Sequence, residues 1–391
     1  MNNDEGKVAL ATLMRIAEPG VTGLLQHVAN VGVVQTVDDI RVGRPIGEVD
    51  VAALQHRLSG TSGADDLAAA ARIGARLVAP GDPEWPASLN DLDWIGKPSL
   101  GLWVRGEVPL AEAVGRSVAI VGTRTATDYG IYVAETMAAD LSDLGWGVVS
   151  GLAYGIDAAA HRGALAAGGL TVGVLACGID VPYPKAHLDL YNRVSADGLV
   201  VTEHPPGSSP QRTRFLVRNR IIAALSLGTV VVEMALRSGA RSTASHASAI
   251  NRHVMCVPGP ITSAMSGGCH RLLRDRPETV LVTNAAEVLE QCGHMGDLAP
   301  HESGPSRTRD LLGPMVARVF EGVPVKKAAS VAGIAATAGV SPAVAAASLA
   351  ALASAGLVEC VGEQWVMSKV GSADRRARVA QAADEMSLEL W

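Results

Sequence analysis

Three short stretches place glycines and hydroxyls where a strand would turn into a helix. The first is Val118-Ala-Ile-Val-Gly122-Thr123-Arg124, ahead of a helix from about Asp128. The second is Val149-Ser150-Gly151-Leu-Ala-Tyr-Gly155-Ile156-Asp157, opening a helix through His161. The third is Ser238-Gly239-Ala-Arg241-Ser242-Thr243. A helix start offers unpaired backbone N–H groups and a partial positive charge, which suits an anion. Glycine lets the backbone approach a phosphate closely. Several such turns along one sheet edge suit a row of phosphates better than a single one. The plain alternative is that these glycines only make tight turns.

Between Pro210 and Arg252 stand seven arginines (212, 214, 218, 220, 237, 241 and 252) and one acid, Glu233. That stretch carries +6 in a chain whose net charge is −6, so the remainder totals −12. The planar guanidinium grips phosphate through paired hydrogen bonds. Phe215, one of two phenylalanines, lies inside the cluster. On the helix starting there, Val217, Ile221 and Leu225 form an apolar stripe, and Phe215, Arg218 and Asn219 share a neighbouring face. An aromatic ring amid arginines suits stacking of an unpaired base while the backbone is gripped. The alternative is a ring that plugs the core beside a solvated basic face.

Other chemistries have weaker support. Asp157 and His161, four apart on one helix, could form an acid–base pair; the same spacing also serves a structural helix start. Tyr183-Pro184 and Asn192-Arg193 border another loop above the sheet. No GxGxxG follows the first strand, which counts against a dinucleotide cofactor, and no P-loop lysine motif occurs. Five cysteines, an odd number with no CxxC spacing, argue against a disulfide framework and a four-thiolate zinc site. Neither a metal nor a cofactor is expected.

The elements that must position these residues follow from the apolar pattern. With 391 residues, 48% hydrophobic and 18% charged, the chain has material for two or three domains and a sizeable core. Residues 1–78 are helical in pattern, a small module of the SAM-like kind. Residues 79–115 hold five prolines and read as an extended connector. From 116 to 292, short Val/Ile/Leu runs such as Val118–Val121, Thr171–Leu175 and Thr229–Val232 alternate with helical patterns. That rhythm predicts an α/β domain, an extended Rossmann-like fold with a mostly parallel, doubly wound sheet. Strand-to-helix turns then gather at the carboxyl edge, where such sheets bind ligands.

Residues 293–307 read as a linker, 308–368 as a C-terminal winged-helix domain and 369–391 as a tail. Ser341 should cap the third helix of the winged helix, with Pro342 at its first position. The second helix of its pair, 341–355, holds no Lys, Arg, Asn or Gln, so protein contact or fold stabilisation suits it better than base readout. Residues 328 to 358 carry no charge, yet their alanines, Gly339 and Pro342 describe two short helices rather than a membrane span. The polar, acidic start of the chain has no basic-then-apolar leader, and the cytoplasm is the expected location.

Several multi-residue motifs stand in register across about 80–292. They are Gly122-Thr-Arg with Tyr129-Gly130, Ser150-Gly151-Leu-Ala-Tyr-Gly-Ile-Asp157-Ala-Ala-Ala-His161, Phe215-Leu-Val-Arg-Asn-Arg220-Ile-Ile-Ala and Val257-Pro-Gly-Pro260. Together they resemble the DNA-processing protein A family (DprA/Smf). The resemblance implies a non-enzymatic single-stranded DNA-binding protein. Such a protein protects incoming strands in natural transformation, loads the RecA recombinase for homologous recombination, and forms a homodimer through the α/β domain. By motif, the DNA pocket falls on Gly122, Thr123, Arg124, Arg212, Phe215, Arg218, Asn219, Ser242 and Thr243. Ser150 and Gly151 of the second turn join the candidate site. So does Arg241, which stands where the family commonly has a hydrophobic residue and could add a phosphate contact. The N-terminal stretch departs from the family in lacking a clear paired-glycine hairpin.

Two other function classes compete. A nucleoside-monophosphate phosphoribohydrolase of the lysine-decarboxylase-like type would need a PGGxGTxxE pattern. The nearest match, Ser226-Leu-Gly228-Thr229-Val-Val-Val-Glu233, lacks the PGG and sets the acid one residue late. In a strand that shift turns it to the opposite face. A transcription regulator read from the winged helix is weakened by the uncharged recognition helix.

Overall fold

The computed structural model describes residues 3–293 and 312–372 and divides the chain near residue 300 into two units. The first unit opens with α1 (Asn3–Ile16), α2 (Thr22–Val31), α3 (Val33–Arg41), α4 (Val51–Leu58) and α5 (Gly63–Arg72). Their apolar faces close over Leu13, Ile16, Leu24 and Ile40, all 1% exposed or less. A second apolar cluster joins Leu10 and Met14 of α1 to the sheet that follows.

That sheet has nine strands: β1 (Ala75–Val78), β2 (Leu102–Arg105), β3 (Ser117–Val121), β4 (Gly147–Ser150), β5 (Thr171–Val174), β6 (Leu199–Thr202), β7 (Gly228–Val231), β8 (His253–Cys256) and β9 (Val280–Leu281). Their order is β1-β2-β6-β5-β4-β3-β7-β8-β9. From β6 to β9 every pairing is parallel; β1 and β2 add antiparallel at the edge beside β6. The connector expected at 79–115 is thereby corrected. Its prolines flank a strand whose Trp103 is fully buried, and β2 belongs to the α/β unit.

The helices are α6 (Leu110–Val114), α7 (Asp128–Asp143), α8 (Ile156–Ala166), α9 (Leu188–Asp197), α10 (Arg212–Ala224), α11 (Ala240–Ala249), α12 (Gly267–Asp275) and α13 (Ala285–Cys292). Both faces of the sheet are covered, which is why the strands are continuous apolar runs. Successive residues of a strand face opposite sides. In β3, Val118 and Ile120 pack with Met137 of α7 and Ala160 of α8. Ala119 and Val121 pack with Ile222 of α10 and Ala244 of α11. The chain runs outward from β3 through β4, β5 and β6, then returns to β7 on the other side. The β3/β7 boundary is therefore the switch point, where a crevice opens at the carboxyl ends.

The second unit holds α14 (Pro314–Gly322), α15 (Val331–Ala338), α16 (Pro342–Ser354) and a hairpin of β10 (Val358–Val361) and β11 (Gln364–Met367). Ala329 bridges to Trp365 beside the hairpin. This is the element order expected of a winged helix. Ser341 accepts a hydrogen bond from the Val344 amide, with Pro342 in the first turn, and α15 and α16 meet at 102°. The exposed residues of α16 include Ala343, Ala346, Ala347 and Ala350, which offer nothing to read a base edge. Among the described residues no single helix is long and apolar enough to cross a membrane. The linker expected at 293–307, beyond Gly293, and the tail expected at 369–391, beyond Ser372, lie outside the described residues.

Candidate nucleic-acid interface

A cleft of about 660 Å³ opens at the β3/β7 switch point. One wall is the turn after β3, with Gly122, Thr123, Arg124 and Thr125. Facing it are Arg237, Ser238 and Gly239 of the turn after β7, and Arg212, Phe215 and Leu216 at the start of α10. Gly122 is needed for close approach: a Cβ there would stand 2.4 Å from Ile156 Cγ1.

Glu233 fixes the two turns relative to each other. Its carbonyl accepts from the Thr123 amide at 2.7 Å. Its carboxylate accepts from the Thr127 amide at 2.9 Å and the Thr127 hydroxyl at 2.6 Å. Thr127 in turn caps α7 by accepting from the Gly130 amide. This acid is 1% exposed and does not line the cleft. The group that a phosphoribohydrolase would need lies beyond the end of β7 and is committed to holding the start of α7.

The floor is polar and buried. Arg218, 6% exposed, donates to the carbonyls of Gly151 (2.9 Å) and Val174. Asp157 accepts from the Gly151 amide at 3.2 Å. A Cβ on Gly151 would stand 2.5 Å from the Arg218 guanidinium and force that buried, hydrogen-bonded group to shift. Burial pushes the Asp157 carboxyl up, against the pull of Arg218. Burial lowers Arg218 to about 10, still protonated at neutral pH. Its Nε has no partner among the described residues, an unsatisfied donor at the base of the cleft. His161 does not complete an acid–base pair with Asp157. Its Nδ1 meets the Thr171 hydroxyl at 2.7 Å, and burial, with Arg218 adding, lowers its pKa to about 3.

Near the mouth, the Arg124 guanidinium lies 5.2 Å from the centroid of the Phe215 ring. Among the described residues no group of three or more His, Cys, Asp or Glu is placed to hold a metal ion. The arrangement offers cations, backbone amides and a half-buried ring, which is the chemistry of anion binding and stacking.

The sequence profile described as DNA recombination-mediator protein A matches residues 76–293. The putative DNA processing protein DprA of Mycobacterium tuberculosis (strain H37Rv) is 43% identical over 385 residues, 96% of this chain and 97% of that protein. The chain belongs to the DNA recombination-mediator protein A family. DNA processing protein DprA of Streptococcus pneumoniae is 41% identical over 174 residues, 44% of this chain and 61% of that protein. The X-ray structure of DprA from Streptococcus pneumoniae has a TM-score of 0.62 at 29% identity, covering 75% of this chain and 100% of that one.

Within this family member, the cleft gathers Gly122, Thr123, Arg124, Arg212, Phe215 and Arg218, with Asn219 and Thr243 beside them. Asn219 also donates to the Gly239 carbonyl at 3.2 Å and so holds the turn after β7. Four expected residues fall outside. Ser150 is fully buried and donates to the Ile120 carbonyl at 2.7 Å. Gly151 packs behind Arg218 rather than in the cleft. Ser242 does not line it, and Arg241 lines a separate groove with Arg271, Asp275 and Arg276. Arg241 and Thr243 are two residues apart on α11, about 200° around the helix, so they point to opposite sides.

The charge count needs the same correction. Arg220, 1% exposed, pairs with Glu203 at 2.5 and 2.8 Å and donates to the Lys97 and Pro98 carbonyls. Arg214 pairs with Glu18 of the segment after α1, and Arg252 with Asp91. From Arg218 to Ala224 every residue of α10 is buried, so Ile221 and Leu225 belong to a helix sunk on all sides, not to one stripe. Arg212 and Arg237 remain exposed in the cleft beside Arg124. Arg237, counted in the arginine cluster but not among the pocket residues, and Tyr183, noted only as bordering a loop above the sheet, also line the cleft. Their signals were a cation just before Ser238-Gly239 and an aromatic in the loop after β5.

Proposed function

We propose that this protein is a single-stranded DNA-binding recombination mediator. The observation that carries the reading is the cleft mouth, where Arg124 lies against Phe215 and Arg212 and Arg237 stand exposed nearby. Arginines and backbone amides hold phosphates, and Phe215 takes an unpaired base with little sequence preference. In this reading the protein covers incoming strands in natural transformation and loads the RecA recombinase. It works in the cytoplasm as a homodimer through its Rossmann-like domain. Binding and handover are its whole task, with no bond made or broken.

The test is fluorescence anisotropy of a labelled poly-dT oligonucleotide at two salt concentrations, with duplex and mononucleotide as competitors. Tight, salt-sensitive binding that neither competitor displaces well is the expected result, and a RecA-loading assay follows from it. Weak binding displaced by a mononucleotide would overturn the reading in favour of the hydrolase class.

A further inference from the structure

Three aromatic side chains stand near the carboxyl edge of the sheet: Phe215 in the first turn of α10, Tyr183 in the loop after β5 and Tyr154 in the loop after β4. Tyr183 lines the cleft and is 41% exposed. Its ring centroid lies 5.4 Å from that of Phe215, with the planes inclined by 46°. The loop that carries it is fixed from below. His187 packs edge-on against Tyr154 at 4.6 Å, and its Nδ1 lies 3.1 Å from the Leu152 carbonyl oxygen. Tyr129 and Tyr191 give their hydroxyls to the Pro258 and Ile179 carbonyls. The Tyr183 hydroxyl has no hydrogen bond to any described residue, so its ring is held at the mouth for its face and not for a polar bond.

We infer that Tyr183 is a second base platform. The nucleotide next to the one on Phe215 lays its base on Tyr183, so the cleft seats two successive unpaired bases. This rests on the single-strand reading above and adds a subsite to it. The inclination of the two rings gives the subsite its selectivity. Successive bases in a duplex are paired and nearly parallel, and cannot follow two faces set at 46°. Splayed, unstacked bases can. Exposed Lys185, two residues beyond Tyr183, supplies a cation for the phosphate between or beyond the two bases.

The test uses the full-length protein and a length series of labelled oligo-dT, read by anisotropy. Phe215→Ala should weaken binding at every length. Tyr183→Ala should leave the shortest bound oligonucleotides unaffected and weaken longer ones about five-fold or more. Tyr183→Phe should bind like the unaltered protein throughout, because only the ring face is used. A misfolded variant would lose affinity at all lengths, so the length dependence separates the two causes. If Tyr183→Ala is neutral at every length, or weakens all lengths equally, there is no second platform. A loss with Phe215→Ala in the same series would leave the single-strand reading standing. If Arg124→Ala, Phe215→Ala and Tyr183→Ala all bind like the unaltered protein, the single-strand reading itself fails, and the subsite with it.

Discussion

The guanidinium of Arg124 lies 5.2 Å from the ring centroid of Phe215, joining the turn after β3 to the first turn of α10 across the cleft. A cation over an aromatic face is attracted by the ring quadrupole, which holds both groups at the mouth. Arg124 is exposed, Phe215 half-buried, so both can reach a strand in solvent.

Arg124→Ala should therefore weaken binding to every single strand, whatever its sequence. Each phosphate contact to a single strand contributes about 0.7 to the slope of log affinity against log salt. Losing one should flatten the slope by about that amount, measured by anisotropy over a salt series. Unchanged affinity and slope would remove Arg124 from the interface.

For Phe215→Ala, a cost of about 1–3 kcal/mol in binding is expected, the usual worth of one stacked base. Phe215→Trp should retain most of the affinity. Circular dichroism and thermal melting would report the fold in parallel. A small binding loss combined with a large drop in melting temperature would make the ring a core plug instead.

The parallel sheet and its edge turns were legible because buried strands are written as unbroken Val/Ile/Leu runs between helices. The antiparallel edge was not. β1 and β2 are four residues each, set among prolines, and pairing with β6 depends on contacts far away in sequence. The cluster of arginines was visible, but whether each faces water depends on remote partners: Glu203 for Arg220, Glu18 for Arg214, and two backbone carbonyls for Arg218. One local signal did exist. The run Ile221-Ile222-Ala223-Ala224-Leu225 is apolar on all sides, so the residues just before it are drawn inside as well. Ser150 shows the same limit at a strand end, where a hydroxyl that looks ready for phosphate turns inward to Ile120.

Arg220 and Arg212 should separate stability from binding. Removing one member of a buried ion pair strands the other charge, at a cost of about 3–5 kcal/mol. Arg220→Ala should lose that much in urea unfolding, because Glu203 is itself 7% exposed. Arg212→Ala, on an exposed residue at the cleft, should leave the unfolding midpoint unchanged and weaken DNA binding. The opposite pattern would place Arg220 at the interface and Arg212 in the fold.

Stability should fall on mild acidification, and His161 supplies a defined share of the slope. Its side chain is fully buried, and burial lowers its pKa from 6.5 to about 3. The unfolded chain therefore takes up the proton first as pH drops. The stability tied to neutral His161 is fully present above pH 6.5 and is lost as pH falls toward 3, at about 1.4 kcal/mol per pH unit. His204 and His246, each lowered to about 4 by burial, act in the same direction. Asp157, raised by burial, acts in the opposite direction over the acid end of the window. His161→Gln, which can still meet the Thr171 hydroxyl, isolates the contribution. Its unfolding free energy should depend less steeply on pH between 6.5 and 4.5 than that of the unaltered protein, with the two curves converging as pH falls. Parallel curves would mean that His161 is protonated in the native state at the same pH as in the unfolded chain.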